Sequence, residues 1–249
     1  MKKTFLKYDN PILNVMVQAD NPTRIMELID KSLPLGAEAF GMQLERMNPE
    51  YKNKETYNEL FEYTDKPIYV TNYRYAKNEG KSDDVLALEL LDLADYGATL
   101  CDVMGDLYDK QDDELARDEN AIAKQKDLIK KMHSKGAEVL MSSHVMKYTP
   151  AERVLEIALE HQRRGADISK IVTGADSMEE QIENLKIVNM LKQNLDIPFL
   201  FLCGGECEIL RRIGGKLGCC MYLGVYEYDD LATPQQPLLK NLKAIRDNM

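Results

Sequence analysis

The sequence lacks several features that would each indicate a particular class of protein. It has no excess of positive charge, since 32 Lys and Arg residues are outnumbered by 42 Asp and Glu residues, for a net charge of −10. Such a surface repels nucleic-acid phosphates and anionic lipids. It also has no apolar run long enough for a signal peptide or a membrane span. We therefore expect a cytoplasmic protein that binds neither nucleic acid nor membrane.

Cysteine is scarce and does not form a disulfide framework. The five cysteines are an odd number, and they lie late in the chain without the regular spacing of a small secreted domain. Cys203 and Cys207 could suggest a metal pair, but a structural zinc site needs two further ligands, and none of the three histidines is near them in sequence. We expect reduced thiols, no metal and no cofactor.

The residues that are present indicate one globular domain, residues 1–249. Hydrophobic residues make up 44% of the chain and charged residues 30%, which allows a large core and a solvated surface. A Gly-Ala pair recurs after amphipathic stretches and before apolar runs. A glycine there can take the left-handed conformation that ends a helix. The four pairs predict helix-to-strand joints at Gly36-Ala37, Gly97-Ala98, Gly136-Ala137 and Gly165-Ala166.

Alternating strands and helices predict a (β/α)8 barrel. Short apolar runs favour eight strands near residues 12–17, 38–44, 67–72, 98–104, 137–142, 167–172, 197–202 and 217–223. Capping side chains predict helix starts at Asn21, Ser82, Thr149 and Ser177, the last two with the spacing of a capping box. Strict alternation means parallel strands, and eight units in about 250 residues suit a closed barrel. A doubly wound open sheet is the alternative.

Lys170 and His144 are the candidate catalytic residues. Barrel sites lie at the C-terminal ends of the strands. Lys170 falls within the sixth predicted strand, so its amine points into protein, where burial favours either an ion pair or the neutral, nucleophilic form. His144 ends the neighbouring fifth strand, where an imidazole can move protons at a carbon next to an imine. The alternative for Lys170 is a buried stem whose amine reaches a carboxylate at the rim.

Other residues near the predicted strand ends have weaker functional signals. The Gly204-Gly205 pair precedes a predicted helix containing Arg211, and both features can bind an anion, such as the carboxylate of an acidic substrate. A second pair, Gly214-Gly215, follows that helix in this interpretation. His133, near a helix end, and His161, on a helix stripe, are interpreted as structural.

Taken in order, these elements resemble the type I 3-dehydroquinate dehydratases, Schiff-base enzymes of the shikimate pathway built on a β/α barrel. The similarity covers roughly residues 10–247. Met141-Ser142-Ser143-His144, followed by Thr149-Pro150, resembles the family's segment with the catalytic histidine, and the segment 165–171 resembles the segment with its imine lysine. Several such segments in the right order are more specific than any one of them.

The resemblance implies roles for five residues. Lys170 would form the imine, and His144 would act as general base and acid. Arg211 is similar to the arginine that holds the substrate carboxylate, Gln236 to the glutamine of a late loop covering the substrate, and Arg74 to a substrate arginine after the third strand. The resemblance also implies a homodimer acting on a small carboxylic acid.

The chain departs from the family pattern at four positions. Gly41 and Gln43 stand where the family has a glutamate and an arginine, and Ala232 stands at its loop serine. Met104 stands where the family has a glutamate beside the histidine, with Asp102 two residues earlier.

These departures leave three functions open: dehydration of 3-dehydroquinate, a related aldolase-like or elimination reaction on another oxo acid, and a binding barrel without catalysis. A site built to hydrogen-bond hydroxyl groups discriminates strongly, so losing such groups favours a less hydroxylated substrate. Alternatively, other polar side chains could replace them at the barrel mouth, namely Tyr73, Tyr222, Glu45 and Glu206.

Overall fold

The structure is a computed structural model that describes residues 3–249, apart from the side chain of Cys207. Strands and helices alternate along this part of the chain. The strands are β1 (Ile12–Val17), β2 (Ala39–Gln43), β3 (Ile68–Thr71), β4 (Leu100–Met104), β5 (Glu138–His144), β6 (Ile168–Gly174), β7 (Phe199–Gly204) and β8 (Met221–Gly224). The helices are α1 (Pro22–Ser32), α2 (Lys54–Glu62), α3 (Asp83–Asp95), α4 (Glu119–Ser134), α5 (Ala151–Arg164), α6 (Met178–Asn194), α7 (Leu210–Leu217) and α8 (Leu239–Asn248).

The strands form one parallel sheet that curls into a barrel. Their order is β7-β6-β5-β4-β3-β2-β1-β8, so each strand lies beside its neighbour in sequence and β8 returns to pair with β1. A hydrogen bond of 2.9 Å from the Cys220 N–H to the Phe199 carbonyl joins the two remaining edges. The prediction of a (β/α)8 barrel is confirmed, and the open doubly wound alternative is wrong.

The helix-to-strand joints follow the predicted glycine pattern. Gly36, Gly97, Gly136 and Gly165 have φ angles of +90°, +106°, +87° and +99°, in the left-handed region that favours glycine. The predicted caps at Asn21, Ser82 and Ser177 are confirmed, because each side chain accepts a hydrogen bond from the helix backbone.

The predicted cap at Thr149 is wrong. Pro150 takes the cap position of α5 without a side-chain cap, and the Thr149 hydroxyl donates instead to the Lys147 carbonyl at 3.1 Å.

The last strand begins later than predicted. α7 extends to Leu217, and β8 starts at Met221, so residues 217–220 are not strand. Gly214 and Gly215 lie inside α7 and not after it. A Cβ on Gly215 would lie 2.5 Å from Cε2 of the Tyr222 ring, so glycine is what allows α7 to pack this close to β8.

The barrel interior is closed at its N-terminal end by the segment before β1. Phe5 is fully buried, and its ring meets the Tyr69 ring edge-on with 6.5 Å between centroids. Tyr69 on β3 is therefore a low layer of the interior, and the upper layers face the opposite, open end. Within residues 3–249, no helix combines the length and the apolar character needed to cross a membrane.

Candidate active site

A cavity of about 680 Å³ opens at the C-terminal ends of the strands. This is the end where the barrel fold places active sites. All five residues that sequence analysis proposed for the site line it, namely Arg74, His144, Lys170, Arg211 and Gln236. Much of the remaining wall is apolar, with Met16, Met104, Met146, Val172, Leu202 and Leu223.

The amine of Lys170 lies inside the barrel in a fully satisfied polar environment. Its side chain is 6% exposed, and Nζ donates to the Tyr69 hydroxyl at 3.0 Å, the Tyr73 hydroxyl at 2.9 Å and Oδ2 of Asp102 at 3.2 Å. Sequence analysis expected either an ion pair or a neutral amine, and the structure shows an ion pair with Asp102. The carboxylate partner was one stated alternative, but it lies on β4 inside the barrel and not at the rim.

Asp102 is a buried carboxylate at the centre of this group. Both Tyr69 and Tyr73 donate to its Oδ2, and the Ser142 hydroxyl donates to Oδ1 at 2.5 Å. Burial by itself raises the pKa of Asp102, but the positive charge of Lys170 and the surrounding donors outweigh burial and lower it. Asp102 is therefore an anion in the resting site.

The two phenols are neutral donors. Burial, followed by the negative charge of Asp102, raises the pKa of Tyr69 and of Tyr73 well above the ordinary tyrosine value. Each hydroxyl can therefore accept from the Lys170 amine while it donates to Asp102.

His144 is held by a carboxylate from the loop between β4 and α4. Oε2 of Glu114 lies 3.0 Å from the His144 Nδ1 atom and accepts from the His144 backbone N–H at 2.6 Å. Burial by itself raises the pKa of Glu114, but its hydrogen bonds and attraction to His144 lower it. With Nδ1 occupied, Nε2 is the ring atom left for a substrate, since no described side chain hydrogen-bonds to it.

Tyr73 joins the lysine and histidine parts of the site. Its hydroxyl contacts Lys170, and its ring meets the His144 ring edge-on with 5.3 Å between centroids. Strand register supports the same arrangement, since Ser142 pairs with Lys170 and His144 pairs with Val172. The imidazole therefore lies one layer closer to the mouth than the amine.

Arg211 presents a free guanidinium end to the cavity. It lies in the first turn of α7, is only 7% exposed, and its Nε donates to the Cys203 carbonyl at 2.9 Å. No carboxylate among the described side chains is close enough to form an ion pair with it. Burial lowers its pKa, with only partial compensation from Glu208. A buried cation with free donors can bind a carboxylate from a ligand.

Arg74 is already occupied by carboxylates of the protein. Its Nε and Nη2 bind the two oxygens of Asp83 at 2.7 and 2.8 Å, and its Nη1 binds Asp106 at 2.6 Å. Nη2 also donates to the Asp106 carbonyl. This geometry favours a role in holding the loop after β4, and its predicted contact with substrate stays a prediction.

Gln236 lies in the loop between β8 and α8, at the cavity wall. Gln18, just after β1, anchors this loop by accepting from the Thr233 N–H at 2.7 Å and donating to the Thr233 hydroxyl at 2.8 Å. The same amide lies 3.5 Å from Oε1 of Gln236. Gln18 thus orients Gln236 from the segment just after β1.

The four departures have different structural outcomes. Gln43 and Met104 line the cavity. Gly41 leaves room for Met16, because a Cβ there would overlap the Met16 sulfur and lie 2.9 Å from the Tyr69 ring. Ala232 packs against the core cluster and is not part of the wall. At the cavity wall, Met104 thus stands where the family has a glutamate, and Met16 fills the space beside Gly41.

Of the four polar residues considered as replacements, only Tyr73 lines the cavity. Tyr222 packs against Gly215 of α7, outside the barrel. Glu45 is fully buried behind Thr71, where burial raises its pKa. Glu206 lies in the exposed turn after β7. These three residues therefore do not replace the missing polar groups in the cavity wall, although Glu45 and Glu206 directly follow the C-terminal ends of β2 and β7.

The other two histidines have structural partners, as predicted. His161 is fully buried, with Nδ1 3.0 Å from the Ser169 hydroxyl and Nε2 3.1 Å from the Ser143 hydroxyl. Burial, followed by repulsion from Arg164, lowers its pKa to about 3. His133 at the end of α4 pairs with Asp167 at 2.8 Å. Among described residues, no group of three or more His, Cys, Asp or Glu side chains could hold a metal. Cys207, considered with Cys203 as a metal pair, lies outside the described side chains.

Of the residues that surround the amine and the imidazole, sequence analysis named Tyr73 as a possible polar group at the mouth and noted Asp102 without a role, but it did not find Tyr69 or Glu114. Tyr69 and Asp102 are 101 and 68 residues from Lys170, and Glu114 is 30 residues from His144. A polar residue in an otherwise apolar run was the available signal for Asp102. For Glu114, one acidic residue in an acidic loop, we find no such signal.

A protein-family model described as type I 3-dehydroquinase matches residues 13–248 of the sequence. The chain belongs to this family. Among curated relatives, it is 32% identical over 108 residues to a 3-dehydroquinate dehydratase of Alkaliphilus oremlandii and 26% identical over 148 residues to one of Lactiplantibacillus plantarum. These matches cover 43% and 58% of this chain, and 41% and 57% of the relatives' lengths.

Solved structures agree with the type I 3-dehydroquinase family in fold. The chain superposes with a TM-score of 0.80 on a type I 3-dehydroquinate dehydratase from Clostridium difficile, at 18% identity, covering 97% of this chain and 93% of that one. The TM-score is 0.81 for a 3-dehydroquinate dehydratase from Geobacillus kaustophilus, at 16% identity, covering 98% and 94%. At this identity the likeness shows the barrel fold.

Proposed function

We propose that this protein is a lyase that dehydrates 3-dehydroquinate to 3-dehydroshikimate through an imine on Lys170. The observation that carries the proposal is the placement of a buried lysine amine and a carboxylate-held imidazole in one cavity at the C-terminal end of the barrel. Membership of the type I 3-dehydroquinase family supports the same reaction.

The chemistry divides between the two residues. The Lys170 amine attacks the substrate ketone, and the resulting imine acidifies the neighbouring carbon. His144 removes a proton from that carbon through Nε2 and then protonates the hydroxyl that leaves from the next carbon as water. Hydrolysis of the imine releases the conjugated product. Glu114 fixes the imidazole so that Nε2 faces the cavity.

The substrate carboxylate is proposed to bind Arg211. A buried guanidinium with free Nη atoms gains a partner when an anion binds, and its planar end can make two hydrogen bonds to one carboxylate. Gln236 would contact the substrate from the loop between β8 and α8.

A second candidate reaction is supported by the apolar wall. Met16 and Met104 line the cavity, and Met104 stands at a position where the resemblance implies a glutamate. An imine-forming lyase acting on a less hydroxylated oxo acid would fit this wall, because unpaired polar groups are costly to bury.

Ultraviolet absorbance of the conjugated product tests the proposed function. Purified protein mixed with 3-dehydroquinate should generate that absorbance, and Lys170→Met, which keeps most of the side-chain length without the amine, should abolish it. If neither the unmutated protein nor Lys170→Met generates this absorbance, and only the unmutated protein turns over other oxo acids, the result would favour a lyase acting on a less hydroxylated oxo acid. If borohydride reduction traps no oxo acid on Lys170, the result would favour a binding barrel without catalysis.

We also propose that the protein acts in the cytoplasm, in the shikimate pathway, as a homodimer and as one domain over residues 1–249. The support is family membership, together with exposed apolar side chains one turn apart on α6, Met178 and Ile182. Light scattering on the purified protein would give twice the mass of one chain, and the mass of a single chain would contradict the dimer.

A further inference from the structure

Two phenol groups contact the Lys170 amine in the same way but face different parts of the barrel. The Tyr69 and Tyr73 hydroxyls lie 3.0 and 2.9 Å from Nζ, and both donate to Oδ2 of Asp102. Tyr73 belongs to the cavity wall, whereas Tyr69 lies below it with its ring against Phe5. Only Tyr73 can therefore touch a substrate atom and the amine at once.

Imine formation on this amine requires proton transfers close to Nζ. The resting amine donates to three acceptors, one of which is the anionic Asp102. A proton must therefore leave the amine before its nitrogen can attack a carbonyl carbon. The carbonyl oxygen must later leave as water, which requires protons delivered to oxygen. His144 lies nearer the mouth, held by Glu114, and the groups in contact with Nζ are Tyr69, Tyr73 and Asp102.

We propose that Asp102 takes up the proton of Lys170 and that the Tyr73 hydroxyl carries protons between the nitrogen, Asp102 and the substrate oxygen. This inference rests on the proposed function, and it adds two residues to the catalytic group. It leaves His144 to act at the carbon next to the imine.

The steps balance without any outside reactant. The Lys170 ammonium gives one proton to Asp102, and the neutral amine forms a bond to the carbonyl carbon. Tyr73 gives its proton to the carbonyl oxygen and takes one from the nitrogen, which produces a neutral carbinolamine. Asp102 then returns its proton through Tyr73 to the hydroxyl, the C–O bond breaks, water leaves, and a protonated imine remains.

The electrostatics of the pair suit a temporary proton store. Burial raises the pKa of Asp102, and the charge of Lys170, followed by that of His144, lowers it. When the proton moves from nitrogen to the carboxylate, the charge of Lys170 disappears and burial favours the protonated acid. Because the pKa of Tyr73 is raised by burial, this residue stays a hydroxyl that exchanges one proton for another.

Tyr73→Phe and Tyr69→Phe form a matched pair of variants. Each removes one buried hydroxyl that bonds Lys170 and Asp102, but only Tyr73→Phe changes a residue that lines the cavity. We would measure the rate at which borohydride-trappable adduct appears on Lys170 after rapid mixing with 3-dehydroquinate. Tyr73→Phe should slow that rate by on the order of 10²-fold, as expected for loss of an acid–base group. Tyr69→Phe should slow it only a few-fold.

A second readout separates proton relay from damage to the site. Once the imine has accumulated, deuterium exchange at the neighbouring carbon should proceed in Tyr73→Phe at nearly the unmutated rate, because His144 and Glu114 are untouched. Equal trapping rates in Tyr73→Phe and Tyr69→Phe, or equal losses of trapping and exchange in Tyr73→Phe, would overturn the assignment. Failure of the unmutated protein to trap any adduct would instead overturn the proposed function.

The role of Asp102 is tested by Asp102→Asn, which keeps the shape of the side chain. Without a proton store, imine formation should slow and should become faster as imidazole buffer is added, while the unmutated protein shows no such dependence. An Asp102→Asn protein that traps at the unmutated rate at every buffer concentration would remove Asp102 from the relay.

Discussion

Lys170 shows how a single reactive side chain is kept inside a closely packed barrel. Its ammonium has three donors, and the three acceptors around it come from β3, β4 and the segment after β3. A buried charge without a partner is very unfavourable. This complete set of acceptors is what permits a lysine here, where only 4% of the whole residue is exposed. The same set holds the amine at one place below the substrate cavity.

His144 can be separated experimentally from Lys170. We expect His144→Ala to reduce kcat by roughly 10²- to 10⁴-fold, because it removes the group that moves protons at carbon. Adduct on Lys170 should still form and be trapped by borohydride, since the groups around the amine are unchanged. Turnover equal to that of the unmutated protein would exclude His144 from the mechanism.

At the residue scale, sequence predicted the reacting groups better than their partners. Lys170, His144 and Arg211 could be proposed because each is a chemically unusual residue inside a strand, at a strand end or at a helix start. Tyr69 and Asp102 could not, because strands covered on both faces have no alternation that tells which side chains point inward. Three-dimensional register, with Ser142 opposite Lys170, is what brings them together.

The loop between β4 and α4 is the element that completes the site. Arg164 on α5 donates to the carbonyls of Gly105 and Ala116 within it, at 2.9 and 2.8 Å. Gln125 on α4 donates to Gly105 as well, at 3.0 Å. A loop fixed at several points can hold Glu114 against His144 even though Glu114 has a φ of +48°. Sequence patterns predicted the helices and strands on either side but contained no information on this path.

Removing the Glu114 carboxylate should disturb the imidazole without affecting imine formation. We expect Glu114→Ala to lower kcat by about 10²-fold, because a small misplacement of a catalytic group has an effect of that size. KM should change little, and borohydride trapping on Lys170 should persist.

The matched control for Glu114→Ala is Asp113→Asn, which changes the neighbouring residue. Asp113 binds Arg153 and Arg117 and has no contact with His144. An equal loss of kcat in both variants would mean that the loop as a whole matters and that the Glu114 carboxylate has no specific role.

At the scale of the whole molecule, the fold is the part that sequence predicted best. Four Gly-Ala joints and eight apolar runs suffice to predict the barrel, because each local signal agrees with its neighbours. The errors occur at Thr149 and at residues 217–220, where tertiary packing overrides local preference. Buried His161 belongs to this scale too, since it joins α5 to β5 and β6 through Ser143 and Ser169.

His161 should make the stability of the whole molecule depend on pH. It stays neutral in the folded state down to a pKa of about 3. In the unfolded chain it binds a proton below its ordinary value of roughly 6.5. The unfolded state therefore binds more protons between these two values, and folded stability falls as pH decreases through this window.

Between pH 7 and pH 4 this one group should reduce the free energy of unfolding by about 3 kcal/mol. Urea unfolding of the unmutated protein and of His161→Gln, at several pH values, would measure it. The variant should be less stable at pH 7 but should lose less stability on acidification. Parallel pH profiles for the two proteins would contradict a neutral, buried His161.

The most direct test of the account is identification of the residue that binds the substrate covalently. The protein would be incubated with 3-dehydroquinate, reduced with borohydride, digested, and its peptides weighed by mass spectrometry. We predict one adduct, on the peptide containing Lys170, and none in Lys170→Met. Efficient turnover of 3-dehydroquinate with no adduct on Lys170, or with the adduct on a different lysine, would contradict it.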